Sequence, residues 1–310
     1  MTGHDVVVVG EPLLELSAAE PLDRATDFRA SFSGDALNAA AASAAAGAST
    51  ALLSRVGDDE VGARLLRYAE ELGVATHLVR RGPTHTGAYL VGADPDGQRD
   101  FVYLRAGSAA TMTTPVDLEG SGVEHARVLL VSGIAMASSA SLADTVVEAA
   151  ARVRAAGGLV IYDPNYRRRL TDVESARAHL ARIAPHISVV VPSCPADTEP
   201  LVGTGDPAEA AELLLGAGAE AVVVTRGADG SLLHDGRTGV FVPAMRAPDV
   251  RDATGAGDVF AGTLAAGLAR QPLSVELVRL ASAAAALSLA GQGGTGRLAT
   301  LAEARALAAR

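Results

Sequence analysis

The chain contains no lysine; all 26 of its basic residues are arginine. That excludes Schiff-base chemistry through lysine, the lysine of phosphate-binding P-loops and the phosphate-pairing lysine of protein kinases. Any phosphate handled here must meet arginine, backbone N–H groups and metal ions. Cysteine is nearly as scarce. Cys194 stands alone, so neither an internal disulfide nor a cysteine-based zinc site can form, and a cytoplasmic location is expected. With no histidine near it in sequence, Cys194 reads as an inert core thiol. The seven histidines lack HExxH-type spacing, which argues against a histidine-based metal site. Positive charge is in deficit, and the net charge of -10 argues against a general nucleic-acid binder. Aromatic residues are only 3% of the chain although 49% is hydrophobic, so the apolar mass comes from Ala, Val and Leu. Such a composition suits helices packed closely on a buried sheet. The start MTGHDVVVVGEP shows no secretion signal, and the Ala-rich runs at 39–46 and 281–290 are too short or interrupted to span a bilayer.

What is present is an alternation of two patterns over 310 residues, enough for one large α/β domain. Strand-like apolar runs recur at Val6–Val9, Thr50–Ser54, Val128–Ser132, Leu159–Tyr162, Val189–Val191 and Ala221–Thr225. Between them lie segments of helical period such as Gly62–Leu72, Leu142–Ala156, Val173–Ile183 and Pro207–Leu215. This order predicts a mainly parallel sheet covered by helices on both faces. Thr86–Arg105 differs, reading as an antiparallel hairpin turning through Asp94–Gly97. Together with the extended patch Leu13–Phe32 it is expected to form a small antiparallel β-lid inserted into a single domain of residues 1–310. The lid's outer face is expected to carry Leu and Val side chains that pair two copies of the chain.

The strongest local signal is Arg251-Asp252-Ala253-Thr254-Gly255-Ala256-Gly257-Asp258 running into the helix-like AGTLAAGLA. Small residues at a helix start leave N–H groups unpaired and unobstructed, and the helix dipole adds positive potential there. Gly255, Ala256 and Gly257 therefore form a candidate anion hole. Two carboxylates, Asp252 and Asp258, flank it, which is more than a helix cap requires.

DATGAGD resembles the DTxGAGD signature of the ribokinase-like (PfkB) carbohydrate kinases, with Ala253 where the family often has Thr. The resemblance extends along nearly the whole chain through GEPLLELS, the Ser33-Gly34-Asp35-Ala36-Leu37-Asn38 turn, LLSRVGDDEVG at 52–62 and VVVTRGADGSLL at 222–233. It implies a ribokinase-like three-layer core, ATP and Mg²⁺ as cofactors, and Asp258 as the base that accepts a proton from the substrate hydroxyl. The GAG amides would stabilise the moving γ-phosphate. Gly34, Asp35 and Asn38 would contact the sugar, and Thr225, Gly227 and Gly230 would contact ATP. A monovalent cation, K⁺, is implied beside the anion hole, near Asp252, Thr254 and the Gly291–Gly296 turn. The family's NxxE element is degenerate here, because PSCPAD at 192–197 offers only Ser193 and Asp197.

Substrate choice is the finer question, since the family shares its phosphoryl-transfer machinery. Arg105 ends the second hairpin strand, and Arg167 follows a core strand within DPNYR, at the strand end where α/β sheets bind ligands. Arginine grips carboxylates bidentately, and Tyr89 and Tyr103 could add hydroxyl donors. GEPLLEL, GDALN, YLRAGSAA, VSGIAMA and DPNYR together are most similar to 2-keto-3-deoxygluconate kinases, with fructokinases the nearest competitors. A non-catalytic ligand-binding member is the alternative of a different class, which the retained Asp258 and GAG disfavour. A dinucleotide-dependent oxidoreductase would need a GxGxxG turn that the first strand does not enter.

Overall fold

The computed structural model describes residues 3–92 and 101–310, so the hairpin turn expected at Asp94–Gly97 lies outside the described residues. Every predicted core strand forms. In spatial order the main sheet runs Gly239–Val242, Ser231–His234, Ala221–Thr225, Val189–Val190, Leu159–Asp163, Val128–Ser132, Val6–Val9, Thr50–Gly57 and Val74–Ala75, with Val79–Gly82 also pairing to Thr50–Gly57. Its pairings are parallel except for the last two strands at the Gly239–Val242 edge, which turn back as antiparallel hairpins.

The all-valine strand Val6–Val9 shows why the sheet needs cover on both sides. Successive side chains alternate faces, so Val6 and Val8 enter one core with helices Asp35–Ala45, Ala256–Leu268 and Val275–Ser288. Val7 and Val9 enter the other with helices Ala140–Ala155, Val173–Ile183 and Pro207–Gly216. Alanine dominates the first layer's contacts, and it lets Asp35–Ala45 and Ala256–Leu268 approach so closely that a Cβ at Gly262 would lie 2.1 Å from the Ala39 carbonyl oxygen. That approach fixes the beginnings of both helices relative to each other, and those beginnings carry the site. No helix among the described residues is long and apolar enough to cross a membrane.

The lid is a separate four-stranded sheet ordered Arg29–Ser33, Leu13–Ser17, Ala88–Val91 and Phe101–Leu104. Its outer pairs are antiparallel as expected, but Leu13–Ser17 pairs with Ala88–Val91 in parallel. The reason lies in the core: Leu13–Ser17 follows Val6–Val9, and Ala88–Val91 follows Val79–Gly82, two strands that both run parallel to Thr50–Gly57. Both chains therefore enter the lid heading the same way. Alternation within the lid sends Leu13, Tyr89 and Val91 inward as a small buried cluster and leaves Val102 and Leu104 about half exposed on the outside.

Candidate active site

Helix Ala256–Leu268 starts at Gly255, whose φ of +78° lies in the left-handed region that favours glycine. A Cβ there would also sit 2.6 Å from Gly294 Cα, so only glycine lets this turn approach the Gly291–Gly296 turn. The N–H groups of Gly255, Gly257 and Asp258 have no hydrogen-bond partner among the described residues, while Ala256 N–H donates to the Ala253 carbonyl at 3.3 Å. The amides without a partner at this helix start are therefore those of Gly255, Gly257 and Asp258, while the Ala256 amide is engaged by Ala253. Nothing lies within 4 Å of where a Cβ on Gly257 would be, so the helix start is open on that side.

Asp252 does not point at this space. Its Oδ1 accepts from Thr254 N–H and its Oδ2 from Gly293 N–H, each at 2.8 Å. The carboxylate therefore clamps the Gly291–Gly296 turn to the TGAG turn, and with it the backbone groups that surround the cation position implied for Asp252 and Thr254.

Asp258 lies in the first helical turn, 9% exposed, held between two side-chain amides. Asn38 Nδ2 donates to its Oδ2 at 2.8 Å, and Asn165 Nδ2 to its Oδ1 at 3.3 Å. Asn38 is itself oriented by Ser33 Oγ, which donates to its Oδ1 at 3.2 Å. Burial, then the neighbouring Asp35, pushes the Asp258 carboxyl up to about 7, against the opposing pull of Asn38, Arg167 and Asn165. Asp35, which opens helix Asp35–Ala45 after the left-handed Gly34, is also raised by burial and accepts a hydrogen bond from Ser132 Oγ. A third carboxyl beneath them, Asp163, is raised well above its ordinary value by burial, Asp197 and Asp258.

Asn165 was not singled out from the sequence, although DPN after a strand end carries the signal. Its φ is +41°, the only positive value outside glycine among the described residues, a conformation asparagine tolerates better than most side chains. Asp163 Oδ1 accepts its N–H at 3.0 Å, and Asp197 Oδ1 accepts the next N–H, that of Tyr166, at 2.7 Å. Asp197 Oδ2 accepts from Ser193 N–H and Oγ at 2.7 and 2.6 Å. The degenerate 192–197 segment thus buttresses the DPNYR loop, and Asp197 is already committed to protein donors.

A cleft of about 360 Å³ between lid and sheet gathers Gly34, Asp35, Asn38, Tyr89, Tyr103, Arg105, Arg167, Thr254, Gly255 and Asp258. Two of these are engaged differently from expectation. The Tyr89 hydroxyl donates to buried Glu15, which also receives Ser31 Oγ at 3.2 Å, and burial raises the Tyr89 hydroxyl above its ordinary value. Arg105 is paired with Glu11 at 2.5 Å and bonded to Ser138, so it is not an uncompensated cation. Glu11 and Glu15 are the missed residues here; two acids in the apolar GEPLLEL run were the available signal. Arg167, by contrast, is exposed at the cleft wall and has no ion pair among the described residues.

Thr225, Gly227 and Gly230 do not line this cleft. They sit at the end of Ala221–Thr225 and in the turn beyond it, where Thr225 Oγ1 donates to the Pro192 carbonyl at 3.3 Å. Gly230, at φ +87° with a Cβ position 2.3 Å from the Val242 carbonyl oxygen, is explained by the turn itself. Gly227 alone faces open space.

A deep carboxylate held by two amides, opposite unpaired helix N–H groups under a lid, defines a phosphotransferase site for a hydroxyl acceptor. The chain belongs to the pfkB family of carbohydrate kinases, whose sequence profile matches residues 3–300, and it is an ATP-dependent sugar kinase. It is 32% identical to the 2-dehydro-3-deoxygluconokinase of Thermoproteus tenax over 83% of this chain and 79% of that one. Against the 2-dehydro-3-deoxygalactonokinase of Haloferax volcanii it is also 32% identical, over 91% of this chain and 90% of that one. The fold matches that of the ATP-bound fructokinase of Xylella fastidiosa with a TM-score of 0.85, at 24% identity over 98% of each chain.

Proposed function

We propose that the protein transfers the γ-phosphoryl group of ATP to the terminal hydroxyl of 2-keto-3-deoxygluconate, giving 2-keto-3-deoxy-6-phosphogluconate. The observation that carries this reading is Arg167, an arginine without an ion pair among the described residues, in the same cleft as Asp258. A sugar acid supplies the carboxylate that such a group attracts; a neutral sugar does not. The relatives named for 2-dehydro-3-deoxy acids support the same class, and the ATP bound by the fructokinase of like fold supports ATP as donor.

In this mechanism Asp258 accepts the hydroxyl proton as the oxygen attacks the γ-phosphorus in line. A carboxyl pushed up to about 7 is a stronger base than an ordinary one and is still half ionised at neutral pH. Asn38 and Asn165 aim its two oxygens. The N–H groups of Gly255, Gly257 and Asp258 stabilise charge on the transferring group. Lid closure dries the cleft, which strengthens each of these interactions. Mg²⁺, when bound with ATP, would supply charge neutralisation on the phosphates, which suits a site with no carboxylate cage among the described residues, since Mg²⁺ keeps most of its waters. A K⁺ near Asp252 and Thr254 would meet a carboxylate that the backbone N–H groups of Thr254 and Gly293 hold in place. We further propose a homodimer through the outer lid face, where Val102 and Leu104 are exposed.

The galactonate epimer is the second reading that a specific observation favours, through the Haloferax relative; fructose is the neutral competitor. Arg167→Met separates acid from neutral substrates. Because Arg167 is exposed in the open cleft, the loss of kcat/KM on the acid should fall at the lower end of a desolvated pair, about ten- to several-hundred-fold. A neutral sugar should lose only a few-fold. Equal losses on both would refute carboxylate recognition by Arg167.

A further inference from the structure

Glu11 is wholly buried two residues beyond the strand Val6–Val9, and the phosphoryl transfer described above does not use it. Its Oε2 lies 2.5 Å from Arg105 Nη2, and its Oε1 accepts a 2.6 Å hydrogen bond from Ser108 Oγ. Gly87 packs so closely that a Cβ there would meet Oε1 at 2.4 Å. Three points of the lid and its flanks, Gly87, Arg105 and Ser108, thus converge on one carboxylate of the core. Arg105 faces the cleft with its guanidinium 5.9 Å from the centre of the Tyr103 ring. It is only 7% exposed, and its Nε has no hydrogen-bond partner among the described residues.

Taking a sugar acid as substrate, as proposed above, we propose that Glu11 is a specificity-determining positioning residue. It cancels the charge of Arg105, leaving that guanidinium as a fixed hydrogen-bond donor, and confines attraction for the substrate's carboxylate to Arg167. Two physical reasons support the division of labour. A buried guanidinium without a counter-ion is costly to fold, whereas Arg167 keeps its charge hydrated at the cleft wall. The phosphorylated product also retains the carboxylate, so two uncancelled arginines would hold substrate and product alike. Such uniform binding lowers KM without raising kcat and slows release. The other charged groups facing the cleft from the surrounding elements are Asp35, Asp163, Asp258, Arg168 and Arg169; Asp35 also feels the Glu11 charge, so the effect of a Glu11 substitution is read as a ratio between a charged and an uncharged substrate.

The test is Glu11→Gln, which keeps the shape and the acceptor for Ser108 but removes the charge. Kinetics are measured on 2-keto-3-deoxygluconate and on its uncharged carboxamide. Unmasking one positive charge in the cleft that holds the carboxylate should lower KM for the acid roughly ten- to a hundred-fold. The carboxamide should change less than about threefold, and kcat for the acid should not rise. If Glu11→Gln weakens both substrates alike, or leaves their ratio unmoved, Glu11 is only a structural tie and the proposal falls. The double variant Glu11→Gln/Arg105→Gln guards against misfolding, because it buries no unpaired charge. Its acid-to-carboxamide ratio of kcat/KM should stay within about threefold of the unmutated protein, since the pair it removes is neutral. A drop of more than tenfold would make Arg105 the carboxylate grip and overturn the proposal. Failure of the sugar-acid reading itself shows separately, as little activity of the unmutated protein on the acid.

Discussion

Replacing Asp258 by Asn should inactivate the enzyme and stabilise it at the same time. The carboxylate is held by Asn38 and Asn165 while burial and Asp35 push it up to about 7. Removing a general base typically costs about a hundred- to ten-thousand-fold in kcat. The stability effect follows from linkage. With a native value of about 7 against an ordinary 3.8, the folded protein holds this proton more tightly than the unfolded chain, so stability falls as pH rises between roughly 4 and 7. Above that window the full penalty for ionising Asp258 applies, with a ceiling of about 4 kcal/mol. Coupling to Asp35 and a mismatch between amide donors reduce the gain. The introduced amide must present its NH₂ to one neighbour; Asn38 is fixed by Ser33, so Asn165 has to turn its oxygen inward. A gain of about 1–3 kcal/mol at pH 8, shrinking towards zero near pH 4, is the expected outcome from denaturant unfolding. The unmutated enzyme should show an acid limb in kcat/KM near pH 7. A variant that keeps more than about a tenth of kcat would refute the assignment of the base. One destabilised at pH 8 by as much as at pH 4 would refute the buried-charge reasoning.

Gly255→Ala must fit a side chain at φ +78° and 2.6 Å from Gly294 Cα, so it should cost about 2–4 kcal/mol and lower kcat at least a hundredfold; retention of wild-type melting temperature and rate would show that the turn is not as tight as described. Val102→Asp together with Leu104→Asp should give a monomer in sedimentation at micromolar concentration while the core remains folded; a protein that is monomeric before substitution would rule out the lid interface. Asn165→Ala removes one of two donors to Asp258 and should raise the apparent pKa of the acid limb while lowering kcat about tenfold; an unmoved limb would mean that Asn165 does not tune the base.

The core was the readable part of this sequence because its strands are short apolar runs separated by helical period, and runs such as VVVV leave one physical solution, burial on both faces. DATGAGD was readable because the left-handed Gly255 and the open Gly257 are demands on single positions. The parallel pairing of Leu13–Ser17 with Ala88–Val91 was not readable locally, since it is inherited from the direction of two core strands far apart in sequence. Glu11, Glu15 and Asn165 were missed for a related reason. A buried acid in an apolar run has no local signature of its partner; Arg105 lies 94 residues beyond Glu11 in the chain, and Tyr89 lies 74 beyond Glu15. At the expected nucleotide contacts Gly230 and Thr225 the structure shows the local geometry alone: Gly230 is required by its turn, and Thr225 Oγ1 donates to the Pro192 carbonyl.

The central claim, that this chain is a kinase for a 2-keto-3-deoxy acid, is tested most directly by kcat/KM of the unmutated protein with ATP and Mg²⁺. The panel is 2-keto-3-deoxygluconate, its galactonate epimer, fructose and ribose. The highest value is expected on 2-keto-3-deoxygluconate, with the phosphate on its terminal hydroxyl, and at least a tenfold lower value on either neutral sugar, as one carboxylate–arginine contact provides. Robust phosphorylation of fructose or ribose with little activity on both acids would contradict it.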